Sequence, residues 1–518
     1  MKRFTFGAAA LLVAGANLIS AQQHAVTPPD IKAALDSISS ADMRGNLSFL
    51  ASDELQGRYT PSPGLDVAAE FIASQFRGAG LEPGGDHDYF QTADMVDRHM
   101  AKLESPLMLK GGGQTITIPA QSISINDESA AANIKDASVV VLPSRDPALL
   151  KGLELAGKAV VVPADPWTKV APAQRMATFM KMREFDTAVG RSNAALEVLV
   201  NPRRQFSGAG RLITADRARE HAVPSIYVHS DELGKWLEQG KAPSDTRVSV
   251  DIPGPGDRHV VLKNVVAVLR GSDPALKDTC VLLTAHYDHI GTTETGAHMS
   301  ENRTTNPNDH IYNGANDDGS GTVSVIEIAK ALAKLNPHPR RTLVFMTFFG
   351  EERGEIGSNY YGSHPIFPVA KTVADINLEQ VGRTDSTNGP QVNTASLTGY
   401  DYSDVTKFFE QAGRETGIKV YLDKEASDAY FTRSDNAMLA EQGVPAHSLT
   451  VAFDYPDYHG LGDEWPKIDY QNMARVDRMV ALALIDIANS AKAPEWNAQN
   501  PKTLPFREAQ QKLHEQKP

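Results

Sequence analysis

One cysteine, Cys280, in 518 residues rules out an internal disulfide framework. No cluster of Lys and Arg offsets the net charge of −13, so the basic stripe of a nucleic-acid-binding surface is missing. Beyond the first two dozen residues no apolar run approaches membrane-spanning length, and no internal repeat points to a solenoid. A chain without disulfides has to be held by its core, and this one, 41% apolar, is long enough to build a large one. The acidity speaks for solubility and says little about a substrate.

What is present begins with an export pattern. Lys2 and Arg3 precede an apolar segment, 4–19, and a small-residue exit at Ser20 and Ala21. Residues 1–21 therefore read as a signal peptide that sends the chain to the periplasm or out of the cell. A membrane anchor is the alternative, but the apolar core is short for one. Two short helices are expected between Pro28 and Ser52, then a loop through Pro63, then an amphipathic helix over 65–79 lined by Val67, Ala68, Phe71, Ile72 and Phe76. From about 105 to 254 the character changes. Short apolar or alternating runs (115–118, 137–142, 158–162, 225–228, 247–251), with a polar helix near 172–184, predict a β-rich insertion. His221 and His229 stand alone there and read as surface residues. After Lys263, strands at 264–269, 281–285, 342–348, 373–378 and 446–451 are joined by helices near 320–335, 402–415, 434–442 and 471–489. That pattern predicts an α/β fold with a doubly wound mixed, mostly parallel sheet. The expected division is 1–21 signal, 22–104 and 257–490 principal domain, 105–256 insertion, and 491–518 a partly disordered tail rich in Pro, Gln and Lys.

Candidate chemistry gathers where these strands end. His286, Asp288 and His289 follow the run 281–285; Asn316, Asp317 and Asp318 precede the next helix. Glu351 and Glu352 follow 342–348, Glu379 follows 373–378, and Asp457, His459 and Asp463 follow 446–451. The carboxyl ends of strands are where open α/β sheets keep their ligands, and imidazole mixed with carboxylate is metal-binding chemistry. A two-zinc centre, its ions about 3.5–4 Å apart, needs a bridging carboxylate, and a short Asp such as Asp317 suits that place. Of two consecutive glutamates, one can bind metal while the other faces water as a general base. Asp288, two residues from His286, can accept the second N–H of its imidazole. Plainer roles exist for each: a hydrogen-bonded His286, Asp317 or Asp318 as a helix cap, a solvated strand exit at Glu351 and Glu352. His289, His298 and His310 read as residues that shape the loop. Cys280, at the start of its strand, reads as a packing residue.

Five stretches, HYDHIG, NGANDDGSG, GEERGEIGS, NLEQVGR and DYHGLGDE, resemble the co-catalytic zinc aminopeptidase family in order and context. That family includes secreted bacterial leucine-type aminopeptidases and relatives of glutamate carboxypeptidase. FLASDELQGR near the amino terminus resembles members that carry a protease-associated insertion, which 105–256 would supply. The resemblance implies two zinc ions, one held by His286, Asp317 and Glu379, the other by Asp317, Glu352 and His459. It implies Glu351 as general base and then acid, Asp288 as the residue orienting His286, and a peptide as substrate. Glu379 stands where the family usually has Asp, and Asn436 where it often has His. Related folds also carry glutaminyl cyclases, carboxypeptidases and non-catalytic receptor-like proteins, so fold alone leaves these readings open.

Overall fold

The computed structural model describes residues 27–100, 102–126, 129–164, 175–201, 211–215, 223–239, 242–295 and 308–515. The signal reading of 1–21, His221 and His298 lie outside the described residues.

The strand Cys280–His286 is buried at every position and lies between Thr342–Phe348 and Thr372–Leu378, parallel to both. A strand covered on both faces needs no polar alternation, which is why it reads as one apolar run. Alternation persists in a subtler form. Val281, Leu283 and Ala285 join the larger core, whereas Cys280 and Leu282 join the core on the opposite face. The larger core is filled by Gly321–Leu332, Tyr470–Asn489, Pro63–Gly78 and the two short amino-terminal helices. Asn436–Glu441 and Ile356–Ser363 cover the other face. Ala446–Thr450 continues the parallel set, and antiparallel strands complete a ten-stranded mixed sheet. Cys280 is a packing residue, its thiol pushed up to about 11 by burial and sitting 3.6 Å from the Thr372 hydroxyl.

A second, eight-stranded sheet is built from strands between Leu107 and Ile252. Its middle strands are parallel, and Ala159 and Val161 face one apolar cluster while Val160 and Val162 face another. The helix expected near 172–184 is Arg175–Gly190, and His229 is half-buried. Two long strands of the ten-stranded sheet, Phe90–Met100 and Pro255–Leu269, run antiparallel and pair from Phe90–Val265 to Met100–Pro255. Arg211–Thr214, although it lies in sequence among the strands of the second sheet, belongs to the ten-stranded sheet and pairs with Phe90–Met100.

The tail differs from expectation. Residues 491–515 are ordered: Trp496 is buried, its indole N–H donates to the Gly443 carbonyl at 2.9 Å, and its ring stacks on Phe506 at 5.1 Å. Phe506 and Leu513 belong to the helix Leu504–Glu515 and pack against the second core. Polar composition concealed three apolar anchors at scattered positions.

Candidate metal centre

Four strand ends deliver the expected side chains to one place. His286 closes its strand, fully buried, and its carbonyl accepts the Thr322 hydroxyl at 2.7 Å, which ties strand to helix. Asp317 sits in the turn Ala315–Ser320, where Asp463 accepts the amides of Asn316 and Asp317, each at 3.0 Å. Gly350 turns at φ +71° to release Glu351 and Glu352 from Thr342–Phe348. Glu379 follows Thr372–Leu378, and His459 takes a left-handed φ of 49° in the loop after Ala446–Thr450.

Asp317 turns one oxygen to each of two imidazoles: Oδ1 is 3.4 Å from His286 Nε2 and Oδ2 is 3.2 Å from His459 Nε2. His286 Nε2 also lies 3.5 Å from Glu379 Oε1, and His459 Nε2 lies 3.2 Å from Glu352 Oε2. Ligands about 2.0–2.1 Å from a tetrahedral zinc stand about 3.3 Å apart, so these spacings suit donors around an ion. His286 Nε2, Asp317 Oδ2 and Glu352 Oε1 are buried with no hydrogen-bond partner. Buried polar atoms without partners are costly, and a cation relieves all three. The residues present fit a metal. Two sets of donors each close to within 4.8 Å: His286, Asp318 and Glu379, and His289, Asp317 and Glu352. Asp318 belongs less to the metal than to the backbone, since its Oδ1 accepts the amides of Gly321 and Gln380 at 3.1 and 3.0 Å. That is the capping role expected of one of the two aspartates.

Glu351 stands alongside. Its Oε2 is 4.0 Å from His286 Nε2, and its amide donates to Asp288 Oδ1 at 3.1 Å. Burial pushes its carboxyl well up; the neighbouring Glu379, Glu352 and Asp435 add to this and His286 opposes it. For Glu352, burial and Asp317 act upward, but His289 and His459 outweigh them and hold it at about 2. Burial alone would lower His459, yet the carboxylates of Asp317 and Glu352, each 3.2 Å away, carry it up to about 11. Imidazole and carboxylate thus pair as cation and anion where they would otherwise share a metal.

Asp288 acts differently from the simple expectation. The nearer partner of His286 Nδ1 is the Asp288 backbone carbonyl, at 3.2 Å, with the carboxylate Oδ1 at 3.5 Å. That carboxylate is held by the Thr60 hydroxyl at 3.0 Å and by the Glu351 amide. It joins the strand of His286 to the loop of Glu351. The longer Glu379 is restrained by the Ser434 hydroxyl, which donates to its Oε2 at 2.7 Å. Asn436 donates to the Phe431 carbonyl and accepts from Ser448, both at 2.8 Å, which makes it a structural residue.

Three contributors had no role assigned to them from the sequence. Arg58 is buried and donates to the carbonyls of Leu50, Tyr287, Asn313 and Gly314. Asp463 braces the Asp317 turn and accepts the Tyr455 hydroxyl at 3.0 Å. Tyr458 stacks on His459 at 4.1 Å with its ring half-exposed, and burial, then the charges of Asp317, Glu352, Glu379 and Glu351, raise the proton affinity of its hydroxyl. Asp463 and Tyr458 lie inside the stretch DYHGLGDE, which was the signal for them.

Residues 264–484 match the model of peptidase family M28. A "probable leucine aminopeptidase 2" of Aspergillus oryzae is 25% identical over 390 residues, spanning 71% of this chain and 72% of that one. A "probable zinc metalloprotease" of Pyrenophora teres f. teres is 30% identical over 294 residues, 50% of this chain and 58% of its own length. Among solved structures, an aminopeptidase from Aneurinibacillus sp. strain AM-1 has the same fold, with a TM-score of 0.55 at 18% identity, covering 90% of this chain and 97% of that one. The stretch that matches peptidase family M28 contains His286, Asp317, Glu351, Glu352, Glu379 and His459, the side chains of the candidate centre.

Proposed function

We propose that this chain is a zinc-dependent aminopeptidase that removes amino-terminal residues from peptides through a two-ion centre. His286, Asp317 and Glu379 would hold one zinc, and Asp317, Glu352 and His459 the other, Asp317 bridging them. The observation that carries this reading is Asp317, with one oxygen toward each imidazole, and Glu351 buried beside the donors. Zinc bound there supplies Lewis acidity, polarising a carbonyl and acidifying water. Glu351 takes a proton from the attacking water and returns it to the leaving amine. Its raised proton affinity suits both halves of that task, because a carboxyl that is too acidic would not hold the proton in between. Asp288 orients Glu351 through the amide and His286 through the carbonyl.

Residues 1–21 are read as an export signal for the periplasm or beyond, and 105–256 as a protease-associated insertion. Among the described residues no helix is long and apolar enough to cross a membrane. Rates on free-amine and amine-blocked peptides test the substrate class: equal rates on both would refute an aminopeptidase. Glu351→Gln tests the base. Turnover should fall by about three orders of magnitude or more while zinc content stays at the native level; native turnover in that variant would end the assignment.

A further inference from the structure

His289, read from the sequence as a residue that shapes its loop, is fully buried and sits within the second set of donors. Its Nδ1 is 2.8 Å from Glu352 Oε1, and its ring meets that of His459 edge-on, centroids 5.8 Å apart. Neither ring nitrogen makes a hydrogen bond, and neither does Glu352 Oε1. At 2.8 Å this pair is close enough for one but is not aligned for it. Three buried polar atoms are therefore left unsatisfied, which is costly in an apolar setting.

The ring is held there by design of the backbone. The His289 amide donates to the Arg58 carbonyl at 3.3 Å, and Tyr59 and His289 form a parallel bridge. Gly314 makes room opposite: a Cβ at that position would lie 2.4 Å from His289 Cγ. Glu352 turns its other oxygen toward His459, and Asp317 lies within 4.8 Å of both.

We propose that His289 is a third imidazole ligand of the centre, joining Asp317, Glu352 and His459 at the second ion. The inference rests on the two-ion reading above. The second site then has two imidazoles and two carboxylates, and it holds its ion more firmly than the site of His286 and Glu379.

The enzyme loaded with cobalt(II), a metal that accepts the same imidazole and carboxylate ligands, gives the test. Each ligating imidazole contributes one strongly shifted, solvent-exchangeable N–H line to the proton NMR spectrum. Three such lines are expected from the native protein with two cobalt ions bound. His289→Gln, which keeps a hydrogen-bond donor but lacks the imidazole, should show two lines and lose cobalt from the second site at least tenfold more readily. Two lines in the native spectrum, with two ions bound, would overturn the proposal whatever the variant does. Metal analysis giving fewer than two cobalt ions per chain would instead overturn the two-ion reading, and His289 as its extra ligand with it.

Discussion

Arg58 joins three parts of the chain that are remote in sequence. Its guanidinium donates to carbonyls in the second helix, at the end of the His286 strand and before the Asp317 turn. Burial draws it down to about 10, opposed by Asp288, Asp463, Asp317 and Asp318, so it remains a cation at any working pH. Arg58→Met removes the donors and leaves those carbonyls buried and unpaired. A loss of about 3 kcal/mol or more is expected, read as a lower denaturant midpoint; an unchanged midpoint would show that the carbonyls find other partners. The stretch FLASDELQGR marked this residue by resemblance alone. Three of its four partners are backbone carbonyls more than two hundred residues away, and a carbonyl has no sequence signature. The same reason hid His289: a histidine three residues past a ligand looks like loop until Gly314, Arg58 and Glu352 are placed around it.

At the scale of elements, the five expected strands of the principal sheet and the expected helices packed on them were readable because each carries an unbroken apolar run or a strong 3.6-residue period, whereas the strands Phe90–Met100, Thr394–Leu397 and Lys419–Tyr421 were not read. The tail helix Leu504–Glu515 has neither, and its large apolar anchors are Trp496, Phe506 and Leu513. Trp496→Ala should cost about 3–5 kcal/mol, the range for deleting a large buried aromatic, and should free the tail to limited proteolysis. A native cleavage pattern in that variant would mean that the tail is held from elsewhere. The strand Leu196–Val200 poses the opposite problem, since it is buried throughout yet contains Glu197. Burial first, then Asp186, raises that carboxyl to about 7, against Arg145 and the Ser225 hydroxyl. The folded chain therefore holds the proton between about pH 4.5 and 7 while the unfolded chain releases it. Stability from this group is complete below pH 4.5 and is lost as pH rises through 7, a change of up to about 3 kcal/mol. Glu197→Gln should remove that decline, so that the variant unfolds at higher temperature than the native protein at pH 8 and not at pH 4. Parallel Tm curves for the two across this range would show that the group is not protonated by folding.

Across the whole molecule, the ribbon of Phe90–Met100 and Pro255–Leu269 is tied to the candidate centre by side-chain contacts. Asp97, buried in that ribbon, accepts from Arg258 and pairs with His99, each at 2.8 Å, and turns Oδ1 toward Arg353 at 3.7 Å. Arg353 follows Glu351 and Glu352, donates to the Thr60 carbonyl at 2.8 Å and lies over the Tyr59 ring at 5.3 Å. Thr60 in turn holds Asp288, which holds the Glu351 amide. A closed circuit of contacts thus runs from the ribbon to the proposed base. None of this was visible in the sequence, because an ion pair between residues 256 positions apart leaves no local pattern. Asp97→Asn keeps the shape and removes the charge that attracts Arg353. If the circuit positions Glu351, kcat should fall roughly tenfold, as expected for a base displaced by a fraction of an ångström, while KM and zinc content stay native. A rise in KM at native kcat would place the effect on substrate access instead, and no change in either would leave the ribbon without influence on the chemistry.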